Sequence, residues 1–97
     1  MPYITQDDRA PYDHHIRALV DEIKKVDDNA KVGHLNFVLL TIVLTLLNEL
    51  GWKYFRINAL IGALECCKLE IYRRLAAVHE DRAIEKNGDI AWTPETV

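Results

Sequence analysis

A chain of 97 residues, 49% of them hydrophobic and 28% charged, is globular and makes one domain, residues 1–97, without room for separate catalytic and regulatory parts. Its formal charge is −3, and Arg56, Lys68, Arg73 and Arg74 are scattered among Glu65, Glu70, Glu80 and Asp81, so no basic face is offered to nucleic acid and DNA is not an expected partner. Cys66 and Cys67 are adjacent, diverge by about 100° on a helix and cannot easily bridge, which leaves no disulfide framework.

The opening residues carry no apolar leader core, since Gln6, Asp7, Asp8 and Arg9 come at once, and the expected compartment is the cytoplasm, that of a host cell if the source is viral. Residues 1–12 read as a short arm. Within it Thr5 and Asp8 fit a capping box that starts one turn of helix over residues 6–10, ended by Pro11. Asp13 then caps the first full helix. Its Ile16, Leu19, Val20, Ile23 and Val26 recur at the spacing of one buried face, while Arg17, Asp21, Glu22, Lys24 and Lys25 form a solvated one. Asp27, Asp28 and Asn29 make a turn.

The second helix is expected over residues 31–50, stopped by Gly51. From 33 to 48 it holds sixteen residues without one Asp, Glu, Lys or Arg, and it is apolar almost all the way round. Such a helix is buried on every side or spans a membrane. A span needs about 20 apolar residues; this run is shorter, contains Asn36 and is bounded by His34 and Glu49, so no membrane is expected. A chain this small has little else to wrap the helix, and the expected cover is another copy of itself.

The third helix begins near residues 52–54 and runs without a breaker to Lys86, where Asn87 and Gly88 stop it. Ile57, Leu60, Ile61, Leu64, Cys67, Ile71, Leu75 and Val78 form its main core stripe, and Ala59, Gly62, Ala63 and Cys66 are small enough to let another helix approach. Residues 89–97 read as a short extended tail in which Ile90 and Trp92 want cover. The expected fold is all-α: a three-helix subunit with a long C-terminal helix, packed as a homo-oligomeric helical bundle.

Three blocks, 2–9 (PYITQDDR), 56–74 (RINALIGALECCKLEIYRR) and 80–89 (EDRAIEKNGD), resemble a set of short, uncharacterised all-helical proteins of bacteriophages and prokaryotes. The resemblance implies an all-helical domain, allows a viral source and brings no catalytic residues with it.

Two constellations carry chemistry. Asn58, Glu65, Tyr72 and His79 recur every seven residues, drift only about 20° per step along a helix and line one strip, with Lys68 beside them. A strip of this kind at a subunit junction can hold a small polar ligand, with Lys68 for an anion, Tyr72 for stacking, and Asn58 and Glu65 for hydrogen bonds; it can equally be a seam of satisfied polar residues. Near the N-terminus, Tyr3, Arg9, Tyr12, His14 and His15 gather two aromatics and several donors ahead of a helix start, where unpaired amides attract anions. The plain alternative is an arm packed on a neighbour.

Glu65, Glu70, Glu80, Asp81, Glu85 and Asp89 resemble, weakly, the acids of MazG-type nucleotide pyrophosphohydrolases, in which paired acids on facing helices hold Mg²⁺ against phosphates. The paired acids that should precede residues 85–92 are missing in that form, and Asn87, Gly88 and Pro94 mark a helix end where those enzymes continue. No residues stand at zinc-ligand spacing, and no cofactor, phosphate loop or nucleophile motif is read. The expectation is therefore a non-enzymatic oligomeric binding protein, phage-encoded if the resemblance extends that far. It would sequester a small anionic ligand, such as a nucleotide-derived immune signal, through Arg9, Tyr12, His14, Asn58, Glu65, Lys68, Tyr72 and His79. A protein-binding adaptor or inhibitor is the alternative, and a Mg-dependent MazG-like enzyme is third.

Overall fold

In the computed structural model, which describes residues 2–91, the first helix starts where a side chain can satisfy its opening turn. Thr5 takes the cap position, and its hydroxyl accepts the Asp8 amide at 3.3 Å. Asp7 and Asp8 place negative charge at the positive end of the helix dipole. This helix, α1, runs Gln6–Lys24 without interruption. Its continuity corrects two expectations at once: Pro11 does not end a first turn, and Asp13 lies inside the helix rather than capping it. Pro11 removes one amide near the start and crowds the carbonyl of Asp7, an exposed residue, yet the helix continues through it. The expected arm of residues 1–12 is therefore helical from Gln6 onward.

The connection is also shorter than the acidic cluster implied. Asp27 takes the cap position, and Asp28 and Asn29 already belong to α2, Asp28–Leu50. Lys31 secures the corner: its ammonium donates to the Val26 carbonyl at 2.6 Å and to the Asp28 carboxylate at 2.9 Å. At the far end Gly51 adopts φ 104°, a conformation that favours glycine, and its amide bonds the Leu47 carbonyl at 2.8 Å. Arg56 donates to the carbonyl of Leu50, which gives the negative end of α2 a cation. Its guanidinium also lies 5.1 Å from the centroid of the Phe55 ring.

The chain continues as α3, Tyr54–Ile71, a π-helical turn, Tyr72–Ala76, and α4, Ala77–Asn87. These join end to end, so the long third helix is present, and every regular element among the described residues is helical. Gly88, at φ 89°, closes α4 with its amide on the Ile84 carbonyl at 2.8 Å. Of the tail, residues 89–91 are non-helical; Trp92 and the rest lie outside the described residues.

By its packing the chain divides into two compact units, Met1–Ala63 and Leu64–Val97. In the first, α1 and α2 meet, and Val20, Ile23, Lys24, Lys31, Val32 and Leu35 line an apolar groove of about 290 Å³. In the second, α4 continues directly from the π turn. Neither unit has a closed core: among the described residues Leu47 alone is buried, at 4% exposure. The faces expected to be buried exist as stripes but are open. On α1 Ile16 is 55% exposed, and on α3 Ile61 is 60% exposed. Among the described residues, no second layer of the same chain covers them.

Candidate functional site

A polar concavity lies at the start of α1. Arg9, Tyr12, Asp13 and Ile16 stand at i, i+3, i+4 and i+7, one face of a helix. Arg9 bends the preceding segment back over that face: its Nε donates to the Ile4 carbonyl at 2.8 Å. The result is a hollow of about 340 Å³ lined by these four residues and by Pro2, Tyr3 and Ile4. Arg9 is half-buried, while both tyrosines are exposed. The hollow therefore combines a fixed cation, two aromatic rings and the Asp13 carboxylate. It can take an anionic group at Arg9, a flat group against a tyrosine and a hydrogen-bond donor at Asp13.

Of the residues expected here, Tyr3, Arg9 and Tyr12 come together. His14 does not line the hollow; its ring lies tilted against that of His15, centroids 3.8 Å apart. Asp13 and Ile16 were missed as site residues. The signal was present in the 9–12–13–16 spacing, but reading Pro11 as a helix end hid the fact that these positions share a face.

The seven-residue strip is less coherent. Asn58 belongs to the first unit and Glu65, Lys68, Tyr72 and His79 to the second. Lys68 and Glu65 form an ion pair at 3.0 Å, with both side chains well exposed, so each already answers the other's charge. Tyr72 opens the π turn, whose extra residue rotates the later positions by about 100° relative to an uninterrupted α-helix. His79 thus leaves the line that the spacing placed it on. Nearer the π turn, Arg73 pairs with the half-buried Glu70 at i,i+3. As for the acids, among the described residues no three Asp, Glu, His or Cys side chains are grouped to share a metal ion.

Helices with open apolar faces and a shallow polar hollow define this chain as an all-α module. It belongs to the family described as a domain of unknown function, DUF6899, whose profile matches residues 1–90. No curated protein and no solved structure matches it.

Proposed function

We propose that the protein is a non-enzymatic subunit of a homo-oligomeric helical bundle that binds a small anionic ligand. The observation behind this reading is the state of α2. Phe37 is 67% exposed, Leu40 55% and Ile42 51%, on a helix whose residues 32–48 carry no charge. Burying such a side chain from full exposure is worth about 1.5–3 kcal/mol, of which roughly half is still to be gained here, and a soluble monomer rarely leaves so large an apolar surface in water.

A bilayer is the competing cover. By length and composition α2, with 23 residues, can cross one. Its uncharged stretch, however, rises only about 26 Å against a hydrocarbon core of about 30 Å, and it includes His34, Asn36 and Asn48. A protein surface tolerates those polar groups better, and other copies of the chain supply one.

For the ligand, the N-terminal hollow favours an anion joined to a flat ring with a donor group, the chemistry of a nucleotide. The resemblance to phage and prokaryotic helical proteins extends the proposal to sequestration of a nucleotide-derived signal in a host cytoplasm. Native mass spectrometry of protein purified from cells tests both parts together. The expected result is a multiple of the 11.2 kDa chain with retained small-molecule mass. A stable monomer at micromolar concentration refutes the assembly. Calorimetry against mono-, di- and cyclic nucleotides tests the ligand: Arg9→Ala should weaken binding by about 1–3 kcal/mol, the loss of one charge-assisted contact. No heat with any nucleotide, together with a co-purifying host protein, favours the adaptor instead.

A further inference from the structure

We infer that two copies of α2 pack antiparallel along Leu35, Leu39, Ile42 and Leu46, with Lys31 of each copy beside Glu49 of the other. The inference rests on the homo-oligomeric reading and adds the partner face, its direction and its register.

The four apolar residues are spaced 4-3-4, the seam of a helix pair, and each is 42–51% exposed. That spacing reads the same in both directions. A helix turned end over end about a point between Leu40 and Thr41 therefore meets its twin in register, Leu35 against Leu46 and Leu39 against Ile42.

The charges select the direction. Lys31 and Glu49 are eighteen residues apart, five whole turns at 3.6 residues per turn, so they project from one line along the same flank of the seam. A two-fold axis perpendicular to the helices keeps like flanks together and reverses the ends, which brings Lys31 to Glu49 twice, within one residue of register. A parallel pair puts the two residues on opposite flanks and about 27 Å apart along the axis.

Both groups have capacity for this contact. The Lys31 ammonium has three protons and gives two, to Val26 and Asp28. Glu49 makes no ion pair among the described residues, and the last turn of α2 holds no basic residue of its own, so its carboxylate lies near the negative end of a helix where Arg56 is engaged with the Leu50 carbonyl. The antiparallel twin supplies both a lysine and a positive helix end there. The hollows match as well. The groove of Val20, Ile23, Lys24, Lys31, Val32 and Leu35 carries the two lysines, and a second one of about 400 Å³ along Thr41, Ile42, Thr45 and Leu46 carries Glu49. The turned-over copy sets each against the other.

Cysteine cross-linking of the full chain, with Cys66→Ala and Cys67→Ala removing the native thiols, tests the register. Mixed Leu35→Cys and Leu46→Cys chains should join on oxidation. Leu46→Cys alone should not, because its two copies lie about 16 Å apart along the axis, beyond disulfide reach. In parallel, Glu49→Lys should raise the dissociation constant in sedimentation about fivefold, and the swap Lys31→Glu with Glu49→Lys should recover most of it. Self-joining of Leu46→Cys within an intact oligomer overturns the antiparallel seam and leaves the oligomer standing. A chain that sediments as a monomer, or one recovered only as a monomer in membranes, overturns both.

Discussion

The first two helices are similar in length, 19 and 23 residues, and make opposite demands on their surroundings. Along α1 one side is apolar and the other is laced with exposed ion pairs, Arg17 with Asp21 at 2.9 Å and Lys25 with Glu22 at 2.7 Å. A single neighbour satisfies it. On α2 the charges stand only at the ends, and apolar residues occupy both flanks, so one neighbour leaves half of it wet. Amphipathicity therefore sets how many partners a helix needs, and length does not.

The largest expected effect breaks that asymmetry. Leu39→Asp puts a carboxylate into the proposed apolar seam of α2 and should dissociate or unfold the proposed oligomer, at a cost on the order of 3–5 kcal/mol for an unpaired buried charge. Arg17→Asp on the solvated side of α1 should leave the sedimentation coefficient unchanged. Equal sensitivity at the two positions would remove the distinction between the helices.

A middle-sized effect sits at the end of α2. Gly51→Ala forces a side chain into φ 104°, and its Cβ meets the Arg56 guanidinium at 3.1 Å. Chemical denaturation should show a loss of about 1–3 kcal/mol, as for other residues held in glycine-only backbone regions. No such requirement exists at the α1 C-terminus, where Lys25 is right-handed at φ −73°.

The smallest effect sharpens the picture of α1 as a solvated helix. The hydrogen bond from Lys25 to Glu22, and then the negative charge of Glu22, hold the Lys25 ammonium above the ordinary lysine value of 10.5. A raised folded value means the contribution is complete below pH 10.5 and is lost as pH climbs through the raised value. Melting curves of wild type and Lys25→Ala should be nearly superimposed at pH 7, and the residual difference should vanish in strong alkali. A difference that grows with pH would contradict the assignment.

Much of the fold was legible because its signals are local. Gly51 and Gly88 end helices where glycine at positive φ is needed, and Thr5 caps where a hydroxyl reaches an amide. Pro11 misled because a proline was read as a stop, whereas one helix passes through it. The π turn was missed because a period of 3.6 was assumed throughout, which also misplaced His79. Stripe patterns reported which faces want burial but not what buries them; that is why Ile16 and Ile61 read as core and stand open. The hollow at Arg9 was half visible: residue types marked Tyr3, Arg9 and Tyr12, whereas Asp13 and Ile16 depended on knowing that one helix passes through Pro11.

The π turn at Tyr72–Ala76 has a consequence for how this sequence can vary in length. It stores one residue more than an α-helix needs while leaving the flanking turns in phase. Deleting a single residue there should yield a plain helix with the faces of Glu65 and Ile84 oriented as before. The same deletion inside α2 would swing every later side chain by about 100° and dismantle its seams. Across the family, a one-residue gap should therefore be tolerated in the first place and absent from the second.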